Sequence, residues 1–296
     1  MTLDIVADPT PGLSACRACP RLVEHLASIR VEEPAWHNAP VAWHGDPAAR
    51  LLVVGLAPGR GGANRTGIPF TGDSSGDWLW DALHREKFSD GASARERRPV
   101  LRDAAITNAV KCVPPGNKPT AREIAACRPH LVAEARAFAK VRVVVALGRI
   151  AHDAWLASQG AARREFPFAH GATHRLASGV ALLDSFHPSP LNTRTGRLTR
   201  AAWNRVWTRA ARLARESWHV YLLRCGDGTL YTGITTDLAR RHAQHASGKG
   251  ARYTRSRGAR EILWSESVAT KSEALKREYA LKQLTRAEKL RLAKAR

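Results

Sequence analysis

Four short apolar runs, at 51–54, 104–106, 143–147 and 180–183, are separated by stretches of helical periodicity. Strand-like runs alternating with helices predict a parallel α/β sheet, in which ligands bind beyond the carboxyl ends of the strands. Each run is followed by residues with chemical potential. Gly55-Leu56-Ala57-Pro58-Gly59 follows the first, Asn108 the second, Gly148 the third and His187-Pro188-Ser189 the fourth. All four sets are expected to converge on one edge of the sheet. Residues 199–216 read as a helix, with Trp203, Val206, Trp207, Ala210 and Leu213 at i, i+3, i+4 spacing. Ser217 and Trp218 then lead into a different pattern: a strand at 219–223, a Gly226-Asp227-Gly228 turn and a second strand at 229–234. Two domains are expected, over residues 1–216 and 217–296.

Charge narrows the function. The 296 residues carry 47 Lys and Arg against 26 Asp and Glu, a net charge of +21. From Trp218 onward the balance is 17 against 7, leaving 30 against 19 upstream, so both parts are basic. A surplus of this size suits a polyanionic partner, because neutralising phosphates releases condensed counterions. No apolar run is long enough to span a bilayer, and residues 1–12 lack the charged and apolar regions of a signal peptide. Cytoplasm is the default compartment and a monomer the default state. In a reducing compartment five cysteines point to metal ligands or buried thiols rather than disulfides. Cys16 and Cys19 form a Cys-x-x-Cys pair, and Cys112 and Cys127 lie far downstream. Four thiolates can enclose an iron-sulfur cluster or a zinc ion, and four ordinary buried thiols are the plain alternative. Cys225 stands apart as a small buried hydrophobe.

The glycine-rich run Gly55 to Gly67, followed by Pro69-Phe70-Thr71-Gly72-Asp73, permits close backbone approach to a ligand. It lacks the Lys-Ser/Thr ending of a nucleotide-binding loop and the spacing of a dinucleotide site. Taken with Thr107-Asn108 through Cys112, Pro114 to Asn117, Ala146-Leu147-Gly148 and His187 to Asn192, it resembles a uracil-DNA glycosylase, and more narrowly the family 5 (type b) iron-sulfur branch. The likeness covers roughly residues 12–214. It implies a three-layer α/β/α sandwich with a central parallel four-stranded sheet. It also implies a structural 4Fe-4S cluster on Cys16, Cys19, Cys112 and Cys127, and DNA bearing uracil or other deaminated bases as substrate.

Chemistry suggests how such a pocket works. A base must be extruded, stacked, read at its edge and released as an anion. Phe70 suits stacking, with Gly55, Ala57, Pro58 and Gly59 around the base, and the Asn108 amide can pair with uracil and reject cytosine. His187 can donate to the uracil O2 as charge develops. Leu191 can fill the gap left by the flipped nucleotide, with Ser189 on phosphate. Ala57 stands where other uracil enzymes carry a water-positioning aspartate, so Asp73 is the candidate for that task and Asn64 its rival. Asp73 equally reads as a cap for the helix beginning at Ser74.

The second domain resembles a small α+β GIY-YIG nuclease domain, with Val220-Tyr221 and Tyr231-Thr232-Gly233 in place of the two signatures and Arg241, His245 and Glu278 at nuclease spacing. In that likeness Tyr221 and Tyr231 act at the nucleophile, Arg241 steadies phosphorane charge, His245 contacts phosphate or carries a proton, and Glu278 binds one Mg²⁺. The expected protein is a DNA repair enzyme that excises uracil and can also incise DNA. The alternative is a lesion- or structure-targeted DNA-binding protein with one active domain.

Overall fold

The computed structural model describes residues 10, 12–95, 98–268 and 271–294. The chain forms two compact units, residues 1–214 and 215–296. The first runs α1 (Pro20–Glu32), β1 (His44–Gly45), β2 (Leu51–Gly55), α2 (Ala63–Thr66), α3 (Ser74–Arg85), β3 (Ala104–Asn108), α4 (Ala121–Ala137) and β4 (Val143–Leu147). It continues through α5 (Arg149–Ser158), β5 (Thr173–Arg175), β6 (Ala181–Ser185), α6 (Pro190–Arg194) and α7 (Arg200–Arg215).

The sheet order is β1-β3-β2-β4-β6-β5. Its four inner strands are parallel, as the apolar runs predict, and every residue in them is buried. Burial at every position means both faces are covered, as in parallel α/β sheets. Leu51, Val53, Ile106, Val145 and Leu183 point to a layer built from Trp80 of α3 and Trp203 and Trp207 of α7. Their neighbours Leu52, Val54, Val144 and Leu182 point the other way, to Leu131 of α4 and Trp155 of α5. The strand period of two thus makes three layers from one sequence pattern. Two edge strands absent from the sequence expectation, β1 and β5, pair antiparallel with β3 and β6. Register aligns the strand ends: Gly55 lies opposite Asn108, and Leu147 opposite Ser185.

The second unit is a three-stranded antiparallel sheet, β8-β7-β9, made from β7 (Trp218–Cys225), β8 (Leu230–Thr235) and β9 (Ala259–Val268). Its helices are α8 (Leu238–Ala246), α9 (Arg252–Arg257), α10 (Lys271–Gln283) and α11 (Arg286–Lys294). Val220 and Leu222 pack with Ala274 and Leu281 of α10, whereas Tyr221, Leu223 and the buried Cys225 face the other way, toward Tyr231 and Leu238.

Candidate functional site

At the carboxyl edge of the large sheet lies a cavity of about 400 Å³. The strand-end segments supply its walls: Ala57 and Gly59 after β2, Phe70 and Asp73 before α3, Asn108 from β3, and His187 and Ser189 after β6. Asn108 is buried, and its Oδ1 has no hydrogen-bond partner among the described residues. An unsatisfied buried acceptor costs about 1–3 kcal/mol, a penalty that a ligand N–H would remove. Gly55 makes the arrangement possible. A Cβ there would collide with Asn108 Oδ1 and lie 2.6 Å from Phe70 Cε2.

Phe70 is held in the left-handed region, φ 56°, a conformation that costs a non-glycine residue about 1–3 kcal/mol. Trp80 Nε1 donates to the Phe70 carbonyl at 2.8 Å, and Gly76 leaves room for that carbonyl where any Cβ would collide with it. The ring is thereby fixed with its centroid 5.9 Å from that of His187, at 34° between planes. Burial pushes His187 down to about 4, so its imidazole is neutral at pH 7. Asn192 Nδ2 donates to the His187 carbonyl at 2.8 Å and steadies the loop.

Asp73 combines the two roles that its sequence context leaves open. Its Oδ1 accepts from Gly76 N at 2.9 Å as the cap of α3, and its side chain lines the cavity. Oδ2 faces Gly62, where a Cβ would approach to 2.6 Å. Burial raises the carboxyl above its ordinary range against the lowering effect of the Gly76 and Ser75 amides. Asn64 lies off the cavity wall, donating to Asn38 Oδ1 at 2.9 Å, and Pro58 is buried. Leu191 projects from α6 with 73% of its surface exposed.

Cys16, Cys19, Cys112 and Cys127 line one small cavity together with His130. Burial pushes Cys112 up to about 12 and Cys127 to about 11, with the neighbouring cysteines adding to both. Lys111 N donates to Cys127 Sγ at 3.3 Å. From the wall of the cysteine cavity, which Lys111 joins, runs a network that sequence reasoning missed. The wholly buried Lys111 ammonium lies 2.6 Å from Glu134 Oε2 and 2.5 Å from Thr107 Oγ1, and Thr10 donates to Glu134 Oε1 at 2.8 Å.

In the second unit, Tyr221, Tyr231, Arg241 and His245 come together on the α8 side of the sheet. His245 Nδ1 is 2.6 Å from Thr254 Oγ1, whose own proton goes to the Ala251 carbonyl. His245 therefore donates through Nδ1 and accepts through Nε2, from the Tyr221 hydroxyl at 2.7 Å. Burial, then the Arg241 charge, push His245 down to about 4, while burial lifts Tyr221 to about 12. Arg241 Nε stands 3.4 Å from the Tyr221 oxygen. Gly233 is required by this convergence, since a Cβ would lie 2.6 Å from the Tyr221 hydroxyl and 2.8 Å from Tyr231. Glu278 on α10 is half-buried, its Oε1 3.0 Å from Lys282 Nζ, and its charge helps raise Tyr221. Thr254 was the partner missed from sequence, because a threonine in a basic stretch carries no signal of its own.

Comparison with known proteins divides the chain in the same place. The model of the uracil DNA glycosylase superfamily matches residues 42–211, and that of the GIY-YIG catalytic domain matches residues 217–291. A type-5 uracil-DNA glycosylase of Thermus thermophilus is 46% identical over 209 residues, covering 68% of this chain and 95% of the relative. One from Mycobacterium leprae is 43% identical over 220 residues, covering 68% and 93%. The second unit is similar to a UPF0213 protein of Desulfotalea psychrophila, 55% identical over 82 residues, which are 27% of this chain and 74% of that protein.

Proposed function

The chain belongs to the uracil-DNA glycosylase superfamily, with a GIY-YIG catalytic domain following, and on that footing we propose how its own residues perform the two reactions. The protein is a uracil-DNA glycosylase fused to a GIY-YIG endonuclease, and DNA is its partner. Uracil leaves the duplex and enters the cavity, where Phe70 stacks on it. The unpartnered Asn108 oxygen accepts the uracil N3–H; cytosine offers a lone pair there and is refused. That orphaned acceptor, on a residue of the cavity wall beside a neutral histidine, carries the assignment.

As the C1′–N1 bond breaks, its electron pair moves into the base. Neutral His187 donates a hydrogen bond to O2 where the charge gathers. Asp73, through the carboxylate oxygen not used in capping, orients the water whose oxygen bonds to C1′; the water's proton ends on the departing base. Ala57 offers no carboxylate for that task. Leu191 fills the vacated stack and Ser189 holds phosphate. Asn64 supports the loop through Asn38 rather than touching substrate.

The four cysteines fit a 4Fe-4S cluster. Thiols raised by burial and by one another favour a cation that takes them as thiolates. A zinc ion at about 2.3 Å from each ligand requires sulfurs about 3.8 Å apart. His152, His174 and Asp184 are the described residues that gather three ligating atoms within 4.8 Å; no three of these sulfurs do so. A 4Fe-4S cluster held by these four residues would tie α4 and the segment after β3 to the amino-terminal segment.

In the nuclease, Glu278 would hold Mg²⁺ in place of its pairing with Lys282, the ion would supply positive charge to the scissile phosphate, and Arg241 steadies the phosphorane. The Tyr221 hydroxyl, kept a phenol and hydrogen-bonded to His245 Nε2, orients the attacking water together with Tyr231. Arg252, Arg255, Arg257 and Arg260 follow the DNA backbone. A labelled uracil duplex tests both readings: alkali-labile sites without metal report base excision, and Mg²⁺-dependent breaks without alkali report the nuclease. Intact strands under both conditions would reject them.

A further inference from the structure

We propose that a second cavity, adjoining the uracil pocket, is a nucleotide site that receives an unstacked base and its phosphate from the lesion strand, immediately beside the extruded uracil. The inference rests on the glycosylase reading and adds a subsite to it. The cavity measures about 580 Å³ and shares Leu56 and His187 with the uracil pocket, so a strand whose uracil fills one has its neighbour at the mouth of the other.

The lining fits a nucleotide. Phe168 is half-buried, lies outside the apolar core clusters of the first unit, and sets its ring 6.1 Å from that of Phe186 on the cavity wall. Arg149 lies over its ring, 5.3 Å from guanidinium carbon to centroid, and Arg197 lies over Phe186 at 4.4 Å. His170 stacks on Phe186 at 5.1 Å and 18°. Aromatic faces and guanidinium planes side by side are the surfaces on which unpaired bases stack. No aspartate or glutamate lines the cavity among the described residues. Gly148 gives the first-turn amides of α5 no capping side chain, and that turn contains no acidic residue, so its N–H groups add to the attraction for phosphate.

The wall is also preorganised. Asp184, fully buried, takes His152 Nδ1 at 2.7 Å on one oxygen and His174 Nε2 at 3.1 Å and Ala169 N at 3.2 Å on the other. Its carbonyl accepts from Gly171 N at 2.8 Å, and Phe186 N donates to His170 Nδ1 at 3.1 Å. His152 then meets the Phe168 ring edge-on at 5.5 Å. The buried His152, the half-buried His174 and a buried carboxylate thus fix the 166–171 segment against the sheet, a rigidity that a mere surface loop does not need.

The test uses the full chain without Mg²⁺ and oligonucleotides carrying 2′-fluorodeoxyuridine, whose glycosidic bond resists cleavage. The fluorescent base 2-aminopurine is placed 5′ to the uracil, 3′ to it, or opposite it, and free deoxynucleoside monophosphate serves as a competitor. The expected result is an emission change at one flanking position, lost in Phe168→Ala and not displaced by millimolar monophosphate. Binding of the single-stranded oligonucleotide should weaken about tenfold in Phe168→Ala. The slope of log affinity against log salt should fall by about 0.7 in each of Arg149→Gln and Arg197→Gln. Single-turnover uracil release by these variants at saturating enzyme should stay within about threefold of wild type. A flanking signal unchanged in Phe168→Ala, a response confined to the opposite base, or displacement by the monophosphate overturns the proposal. Failure of the wild-type chain to release uracil from an ordinary substrate defeats the glycosylase reading instead.

Discussion

His187 and Asp73 are two titratable side chains whose surroundings set their use. Burial holds His187 near 4, against about 6.5 in an unfolded chain, so the folded protein favours the neutral ring. The sign follows: stability from this group is complete above about 6.5 and is lost as pH falls toward 4, because the unfolded chain binds the proton first. Uracil release should therefore show no inflection near 6.5 from His187, and thermal melts should move down between pH 6.5 and 4 in wild type more than in His187→Gln. That variant should lose about 10²- to 10³-fold in single-turnover rate, the usual cost of one donor to a developing anion. For Asp73 the capping geometry supplies a clean separation, since asparagine caps a helix as well as aspartate does. Asp73→Asn should keep its melting temperature while excision slows about 10²-fold; an unchanged rate would leave Asp73 as a cap alone.

At the level of elements, the end of β3 and helix α4 are joined by Lys111 and Glu134, in one buried pair. Asn108 lies on one side of Lys111 along the chain and Cys112 on the other, while Cys127 and Glu134 stand two turns apart on α4. The pair thus locks the uracil-reading strand end to a cysteine-bearing helix. Glu134→Ala would strand a buried ammonium, and calorimetry should register a loss of about 3–5 kcal/mol; Lys111→Met with Glu134→Leu should recover most of it. The four inner strands were legible because runs such as Leu51–Gly55 can be satisfied only between two covered faces. β1 and β5 were not, since His44–Gly45 and Thr173–Arg175 are short and polar, and their pairing depends on what a neighbour's edge offers. The cavity residues Phe70, Asn108 and His187 were legible through their motifs. The left-handed backbone of Phe70, the buried Lys111–Glu134 pair and the Asp184 hub were not, because a charge in sequence reads as surface until a distant partner is known.

On the scale of the whole molecule, two catalytic units share one chain and one basic character, with 30 Lys and Arg against 19 acids before Trp218 and 17 against 7 from there on. Both units can therefore hold phosphate backbone, and the abasic site left by the first is made in the presence of the second. Residence on one polypeptide replaces a search through solution by an intramolecular encounter, for which short flexible tethers give effective concentrations of about millimolar. Two full-length variants measure that effect without dividing the chain. Asn108→Ala retains the nuclease and Glu278→Gln retains the glycosylase, so an equimolar mixture contains every active group, but never both on one molecule. With a uracil duplex and Mg²⁺, wild type should release uracil and cut the same strand with a ratio of products that does not change on tenfold dilution of about-nanomolar protein. The mixture should release uracil at an undiminished rate per competent chain, yet its strand breaks should fall behind in proportion to dilution. Equal dilution behaviour in mixture and wild type would mean that the two reactions proceed on separate DNA molecules, and that their fusion serves joint delivery to DNA rather than consecutive action on one lesion.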